Sequence, residues 1–376
     1  MIVVFALFSY VNGASILFYF GLATYSHRVA VWPLVERLAA DGHDVTFLSG
    51  YLPKKPNKNV TEFSPKALVD FMSSSFGADS DLIAIRMAGQ HVAIWDAIQE
   101  FGVTMCDILM NDQEYLGLLK NKKFDLVVMD MLNNDCAYGI IHYQKTKFVI
   151  YDTTHPMQWQ YDMFGIPAET SYITDLAHGY KLPMSFPTRF INTLRPLMWY
   201  YGRVFNVYPK LEATINNGLG LTGDNALSIK TLEKNCSLVF TNTHFSVEHS
   251  RSLPQLFVPV AGLHIEKSKA ELPKVIRAHE FENIGNLVTI PNVYQCLIQE
   301  LKKFADESGP DGFIYISFGS GAQVSKTKPE FQRIFFNSLR KFKTHFIWKW
   351  EGDTIPEEMP PNVYTAKWMP QKDVLG

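Results

Sequence analysis

Residues 15–50, SILFYFGLATYSHRVAVWPLVERLAADGHDVTFLSG, carry the pattern that decides the fold. The apolar run from Ile16 to Leu22 predicts a strand that is buried on both faces of a parallel sheet. Apolar residues at helical spacing from Val31 to Leu38 then predict a helix, with Pro33 in its first turn. A second strand is predicted from Asp44 to Leu48. A strand, a helix and a strand in this order predict an α/β fold.

His27 is the candidate catalytic residue of this segment, because it lies in the predicted loop after the first strand. In open α/β sheets, the loops at the carboxyl ends of the strands line the crevice where ligands bind. A histidine there can act as a general base, since its ordinary pKa lies near neutral pH. The spacing alone leaves a solvated or helix-capping histidine as the alternative.

Two aspartates flank the next predicted strand, FDLVVMD at residues 124–130. Asp125 precedes the apolar run and is expected at the amino end of the strand. Asp130 follows the run and is expected at the same carboxyl edge as His27. The sequence therefore favours Asp130 as the partner of His27 and keeps Asp125 as the alternative. Aspartates at strand ends also form turns and caps, so position alone does not assign a catalytic role.

Further elements follow along the chain. The pattern predicts helices over 61–121, 136–143, 186–231 and 329–342, and strands over 148–151, 236–243, 313–318, 344–350 and 363–365. The aromatic segment 153–180, with His155 and Trp159, and the later Trp199 have two interpretations. They are either the wall of an apolar acceptor pocket or part of the core.

These motifs resemble those of the UDP-glycosyltransferase superfamily, which includes the UDP-glucuronosyltransferases. The shared features are a Ser-His pair after a strand, a helix that contains Pro, a Gly-His pair before the next strand and an F-D-x-x-x-x-D strand; here they are Ser26-His27, Pro33, Gly42-His43 and residues 124–130. The chain departs from the family at Thr24-Tyr25, where the family has Asp-Gly.

The end of the chain resembles the donor-binding half of the same family. A predicted strand runs into Gly319-Ser320-Gly321, and such a turn lets backbone N–H groups approach phosphate oxygens, although any tight turn after a strand looks similar. Residues 367–376 resemble the opening of the family signature, in which Trp stacks on uracil and Gln contacts ribose. The resemblance implies a set of donor-binding residues: Ser317, Gly319, Ser320, Trp368 and Gln371.

The resemblance also implies the domain organisation. Two facing Rossmann-like domains of the GT-B type are expected, with the acceptor domain first and the donor domain truncated. The predicted division is a signal peptide at 1–14, an acceptor-binding domain at 15–264, a linker with an insertion at 265–311 and a partial UDP-sugar-binding domain at 312–376.

The implied chemistry is inverting transfer of glucose or glucuronic acid from a UDP-sugar to a hydroxyl of a small lipophilic acceptor. His27 would remove the hydroxyl proton and Asp130 would orient the imidazole. The UDP-sugar is a co-substrate, so neither a cofactor nor a metal ion is expected. Because the chain stops inside the donor motif, this segment by itself is expected to be inactive. The competing interpretation is a noncatalytic binding protein for lipophilic small molecules.

Composition narrows the class of protein. A chain of 376 residues with 47% hydrophobic and 19% charged residues is long and apolar enough for two globular domains. A net charge of −2 gives no reason to expect a nucleic acid partner. Four cysteines are too few and scattered for a disulfide framework, although one bridge stays open. The oligomeric state also stays open.

The expected location is the lumen of the endoplasmic reticulum. The apolar segment Met1–Ala14 fits a secretory signal, and the sequons at Asn59 and Asn235 agree with a lumenal route. After this segment, no uncharged apolar run reaches the roughly 20 residues of a membrane-spanning helix. Family members carry a membrane anchor near the carboxyl end, so a single-pass anchor is expected for a full-length form.

Overall fold

The structure is a computed structural model that describes residues 13–53, 56–75, 83, 95–175, 180–246, 248–249, 251–265, 300–319, 322–367, 369, 371 and 374. These residues form two compact units. The first contains the described residues of 13–75 and 95–264, and the second contains Ile83 and those from Ile265 onward. Each unit is built on a parallel sheet, so the α/β prediction is confirmed.

The sheet of the first unit has seven parallel strands in the order β3-β2-β1-β4-β5-β6-β7. Strands β1, β2 and β3 follow one another towards one side edge of the sheet, and strands β4 to β7 follow one another towards the opposite side edge. The point between β1 and β4 is a topological switch point, where open α/β sheets bind ligands. The strands are β1 (Ser15–Phe20), β2 (Asp44–Ser49), β3 (Val60–Phe63), β4 (Leu126–Asp130), β5 (Lys147–Asp152), β6 (Val239–Thr241) and β7 (Phe257–Pro259).

The helices of the first unit connect these strands. They are α1 (Tyr25–Ala40), α2 (Lys66–Ser75), α3 (Trp95–Asn111), α4 (Gln113–Asn121), α5 (Ala137–Gln144), α6 (Gln158–Met163), α7 (Phe186–Gly202), α8 (Tyr208–Leu219) and α9 (Ile229–Leu232). A π-helical segment, Arg203–Val207, joins α7 to α8. A disulfide between Cys106 and Cys136 ties α3 to the start of α5. Among the described helices, none combines the length and apolar character needed to cross a membrane.

The core of the first unit lies between β1, β2 and α1. Phe18, Phe20 and Phe47 are fully buried and their rings pack against one another. Val31 and Val35 of α1 cover them. Burial of each such side chain contributes about 1.5–3 kcal/mol relative to leaving it exposed. The continuous apolar run in β1 is therefore buried, as the sequence predicted.

Two local predictions are wrong. Helix α1 begins at Tyr25, so Pro33 lies inside the helix and His27 lies in the first helical turn instead of a loop. The Thr24 carbonyl already accepts the His27 and Arg28 N–H groups, and packing of the apolar face offsets the hydrogen bond that Pro33 cannot donate. Residues 60–63 form edge strand β3 instead of helix, because they pair in parallel with β2.

The second unit has three parallel strands in the order β10-β9-β8. The central strand is buried on both faces: Trp348 packs on the side of helix α10 (Pro329–Leu339), and Ile347 packs on the other side in the cluster that includes Leu301 from helical residues 300–306. Trp350 and Phe336 complete the core on the α10 side. The elements are β8 (Phe313–Ile316), α10 (Pro329–Leu339), β9 (His345–Lys349) and β10 (Val363–Ala366).

Candidate active site

The candidate site of the first unit lies at the carboxyl ends of three adjacent strands. His27 follows β1, Asp130 ends β4 and Thr153 follows β5. The strands are neighbours in the sheet, with Tyr19 paired to Met129 and Asp130 paired to Tyr151. Three segments that are far apart in sequence therefore meet at the switch point.

The imidazole of His27 contacts both of the other residues through one nitrogen. Its Nδ1 lies 2.8 Å from Oδ2 of Asp130 and 2.8 Å from Oγ1 of Thr153. The Asp130 carboxylate is fully buried, whereas the His27 side chain keeps 13% of its surface exposed. A buried carboxylate on Nδ1 favours the tautomer with the proton on that nitrogen. Nε2 is then the nitrogen that can accept a proton from another molecule.

The electrostatics of the pair hold the imidazole basic. Burial lowers the pKa of His27, but the charge of Asp130 and the hydrogen bond to it outweigh burial, and the pKa lies above its ordinary value. A higher pKa means a stronger base once the proton has been lost. The arrangement is that of a His–Asp pair suited to general base catalysis.

Asp125 lies at the amino ends of the strands, opposite to the end that carries His27. Its Oδ2 accepts the backbone N–H of Ser15 at 2.8 Å, at the start of β1, and its side chain has no part in the His27 cluster. The structure thus brings Asp130 to His27 and keeps Asp125 at the amino ends of the strands. The catalytic roles of His27 and Asp130 stay predictions.

Asn134 connects the segments that follow β1 and β4, next to the His27–Asp130 pair. It is fully buried. Its Oδ1 accepts the N–H of Leu22 at 2.9 Å, and its Nδ2 donates to the carbonyl of Leu22 at 2.9 Å and to that of Leu132 at 2.9 Å. The segment after β1 and the segment after β4 are therefore joined just beyond the strands. Sequence analysis missed Asn134, since a lone Asn after a strand carries no spacing signal.

A second buried carboxyl group lies next to Asp130. Asp152 ends β5, and its Oδ1 accepts from Nε2 of Gln160 at 2.7 Å. Burial raises the pKa of Asp152 well above its ordinary value; the Gln160 hydrogen bond opposes this, and the nearby Asp130 charge adds to it. Among the described residues, neither Oδ2 of Asp152 nor Oδ1 of Asp130 has a hydrogen-bond partner. The site therefore contains two neighbouring buried carboxyl groups, and burial favours the protonated form of Asp152.

The aromatic residues considered for an acceptor wall are mostly core. Trp159 and Trp199 are buried with ring centroids 4.5 Å apart. Nε1 of Trp199 donates to Asp175 at 2.6 Å. Nδ1 of His155 lies 3.7 Å from Oε1 of Glu248. The contact between Trp159 and Trp199 joins α6 to α7, so these two side chains belong to the core, one of the two interpretations that the sequence left open.

Of the donor-binding residues predicted in the second unit, Ser317 and Gly319 directly follow β8. Gly319 has φ 75°, a left-handed conformation that favours glycine, and its N–H donates to Oγ of Ser317 at 3.4 Å. Lys349, at the end of β9, donates to the carbonyl of Gly319 at 2.7 Å. Gln371 is exposed. Ser320 and Trp368 lie outside the described residues. Lys349 was not predicted, because its position beside Gly319 depends on the pairing of β8 with β9.

No group of three or more His, Cys, Asp or Glu side chains within the described part of the chain could hold a metal ion.

Comparison with known proteins assigns the chain to a family. The sequence model of the family described as UDP-glucoronosyl and UDP-glucosyl transferase matches residues 22–283 and 278–376. The chain belongs to this family. The resemblance inferred from the Ser26-His27 pair and from residues 367–376 is thereby confirmed.

Similar members of the UDP-glycosyltransferase family come from insects and mammals. UDP-glucosyltransferase 2 of Dactylopius coccus is 25% identical over 365 residues, which cover 97% of this chain and 64% of that protein. UDP-glucuronosyltransferase 2B7 of Rattus norvegicus is 24% identical over 376 residues, which cover 94% of this chain and 63% of that protein. The chain thus spans less than two thirds of the length of either relative.

A solved structure shares the fold. It is the complex between 3,4-dichloroaniline and a UDP-glucosyltransferase from Polygonum tinctorium capable of glucosylating indoxyl, with a TM-score of 0.52, 14% sequence identity, and coverage of 96% of this chain and 73% of that one. The present chain therefore has the fold of the GT-B glycosyltransferases, as predicted.

Proposed function

We propose that this protein, in its complete form, transfers a sugar from a UDP-sugar to a hydroxyl group of a small acceptor. The observation that carries the proposal is the contact of His27 Nδ1 with Asp130 at 2.8 Å, at the switch point of the first sheet. Family membership supports UDP-sugar as the donor class. The UDP-sugar is proposed to act as a co-substrate, with no cofactor or metal ion.

In the proposed mechanism the acceptor hydroxyl binds at Nε2 of His27. A hydroxyl is a weak nucleophile, and Nε2 removes its proton as the oxygen attacks the anomeric carbon. The bond from this carbon to the diphosphate oxygen breaks, and UDP leaves. The charge of the buried Asp130 stabilises the imidazolium, and Thr153 helps to hold the ring in place. Attack on the face opposite to UDP inverts the configuration of that carbon.

In the second unit we propose that Ser317, Gly319 and Ser320 contact the diphosphate, and that Trp368 and Gln371 contact uridine. The left-handed turn at Gly319 leaves its backbone open to a close ligand, and Lys349 supplies a positive charge beside it. Trp368→Ala is expected to weaken UDP binding by roughly 1–3 kcal/mol if base stacking on an aromatic ring is the contact. Calorimetry with UDP measures this, and unchanged affinity would make Trp368 structural.

The sugar is proposed to be glucose or glucuronic acid, and the acceptor to be a lipophilic hydroxyl compound such as a phenol. Both kinds of sugar occur in the names of relatives at similar identity, so a radiolabel assay has to compare them. The complete protein is incubated with labelled UDP-glucose or UDP-glucuronic acid and a phenol panel. One donor is expected to give labelled product, and label transfer from neither donor would favour a noncatalytic binding protein.

The catalytic histidine is tested with His27→Ala against His43→Ala. His27→Ala is expected to lower kcat by about 10² to 10⁴, the range for loss of a general base, with little change in UDP affinity. His43 is the matched control, since its Nδ1 accepts the backbone N–H of Ala14 at the amino end of the sheet. Near wild-type turnover of His27→Ala would remove this residue from the mechanism.

We also propose that the protein enters the endoplasmic reticulum and that its full-length form is membrane anchored near the carboxyl end. The disulfide between Cys106 and Cys136 supports an oxidising compartment, and the sequon residues Asn59 and Asn235 are both exposed. Endoglycosidase treatment is expected to increase the gel mobility of the cellular protein. The double variant Asn59→Gln/Asn235→Gln should then be insensitive to the enzyme.

A further inference from the structure

Helix α7 exposes an unusually apolar face. Eight apolar or aromatic residues of α7 and the adjoining π-helical segment have between 42% and 74% of their surface accessible: Phe186, Phe190, Ile191, Leu194, Leu197, Met198, Tyr201 and Phe205. They recur at intervals of three and four residues, so they lie on one side of the helix. Contiguous exposed apolar surface of this kind marks a binding surface. We call it the α7 face.

The opposite side of the helix is fixed to the protein by buried contacts. Asn192 is fully buried, and it accepts the N–H of Asp175 at 3.0 Å and donates to the carbonyls of Thr170 and Ile173 at 2.7 Å. Trp199 is buried against Trp159. These contacts leave α7 no freedom to rotate its apolar residues inward. The outward direction of the α7 face is therefore a property of the folded unit.

The charge of this segment is strongly biased. Residues 180–211 contain no Asp or Glu, although the whole chain has a net charge of −2. Within α7, Arg189 is exposed at the border of the apolar face, and Arg195 lies on its other border and donates to Tyr180 and Met198. The basic residues of the segment are Lys181, Arg189, Arg195, Arg203 and Lys210. Arg203 is neutralised by Asp135, whereas Lys181, Arg189 and Lys210 are exposed.

We propose that the α7 face binds an anionic phospholipid surface, with the helix lying parallel to the bilayer. Phe and Leu side chains would enter the boundary between headgroups and acyl chains, Tyr201 would sit at headgroup level, and the flanking cations would pair with lipid phosphates. The helix does not need to span the bilayer to bind in this way. A second copy of the chain is a poorer occupant, because two α7 faces in contact would bring two cationic segments together.

The experiment is vesicle flotation of the 376-residue protein with phosphatidylcholine vesicles and with vesicles that also contain phosphatidylserine. The double variant Phe190→Ser/Leu197→Ser tests the apolar residues. Its matched control is Ile334→Ser/Phe342→Ser, two equally exposed apolar residues of the second unit. Arg189→Glu tests the charge, with Lys343→Glu as its control. Circular dichroism verifies that each variant keeps the native fold.

We expect the protein to float with the serine-containing vesicles and to bind phosphatidylcholine more weakly. The α7 double variant should bind at least about tenfold more weakly, since partitioning follows the apolar area inserted. Arg189→Glu should reduce binding to the anionic vesicles by about thirtyfold, because two units of charge change next to the surface. Both control variants should match the wild type.

Absence of flotation with either vesicle, or equal flotation of the α7 double variant and the wild type, would overturn the proposal. Light scattering provides a further decisive result. A dimer that the α7 substitutions dissociate, with vesicle binding unchanged, would assign this face to a second copy. Neither readout depends on sugar transfer, so the outcome is separate from that of the proposed function.

Discussion

Replacing Asp130 by Asn tests the candidate active site with the smallest change in shape. The substitution keeps the size of the side chain and removes the negative charge that lies 2.8 Å from Nδ1 of His27. The Asn amide can also donate to Nδ1, which would place the imidazole proton on Nε2, the nitrogen proposed to act as the base. The variant is therefore expected to fold and to lose turnover.

The expected loss follows from the burial of the pair. Asp130 is completely buried and His27 nearly so. At an effective dielectric constant of about 20, two unit charges about 4 Å apart interact by about 4 kcal/mol. Loss of a stabilisation of that size from the transition state lowers the rate by about 10³. We therefore expect kcat of Asp130→Asn to fall by about 10² to 10⁴, with a small change in KM.

The pH profile gives a second readout of the same substitution. The general base must be neutral, so kcat/KM of the wild type rises with pH through the pKa of His27, which Asp130 holds above its ordinary value. Without the Asp130 charge, burial acts unopposed and lowers that pKa below the ordinary value. The acidic limb of the profile is thus expected to move to lower pH in Asp130→Asn.

Asp125→Asn is the matched control. Its amide oxygen can still accept the Ser15 N–H, and the residue is exposed, so turnover and profile should stay close to wild type. A folded Asp125→Asn that is less active than Asp130→Asn would show that the two acids are assigned the wrong way round. An Asp130→Asn protein with an unshifted acidic limb would refute the electrostatic argument even if its turnover were low.

Three further outcomes are expected. Thr153→Val should lower kcat by about 2- to 10-fold with KM unchanged, which is the effect of losing one neutral hydrogen bond. Thr153→Ser keeps the hydroxyl and should have the kcat of the wild type. Equal activity of the Val and Ser variants in steady-state assays would exclude a positioning role for Thr153. Because burial raises the folded-state pKa of Asp152, the folded protein binds this proton more tightly than the unfolded chain does, so stability falls as pH rises from about 4 towards the folded-state pKa. Asp152→Asn should therefore raise the thermal midpoint at pH 7 by on the order of 5 °C and have no effect near pH 3; a lower midpoint at pH 7 would contradict this. The bridge between Cys106 and Cys136 closes a loop with a sequence separation of 30. Its reduction should lower the free energy of unfolding, measured by denaturant titration, by about 3–4 kcal/mol. The control variant Cys236→Ser, at a free cysteine, should leave the free energy of unfolding unchanged.

Sequence reasoning located the His–Asp pair because both residues follow apolar runs of central strands. In a parallel sheet, all such ends lie at one edge, so no knowledge of loop conformation was needed. The same logic separated Asp130 from Asp125, which lie at opposite ends of β4. The boundary of α1 could not be obtained in this way, because Pro33 is typical of a first turn and only packing against β1 and β2 stabilises it inside a helix.

The other contacts depend on register and on packing between remote segments. Thr153 reaches His27 only because β5 lies beside β4, and Lys349 reaches Gly319 only because β9 lies beside β8. The side chains of Trp159 and Trp199 have the same apolar character in a core as in a pocket, so composition could not separate the two environments. Similarly, the apolar spacing in α7 predicts a buried face, and only the fold shows that this face points outward.

The side-chain amide of Asn134 has a consequence for the tolerance of the site to change. Its paired bonds to Leu22 imitate a peptide group and add a rung to the ladder between β1 and β4, whose regular pairing ends at Tyr19 and Met129. The rung lies just beyond the strand ends next to His27 and Asp130, so it restrains the segments that follow β1 and β4 against moving apart. A substitution elsewhere that shifts one loop would therefore carry the other loop with it. The spacing of the pair can thus survive sequence drift in the surrounding helices, provided that residue 134 keeps both a donor and an acceptor.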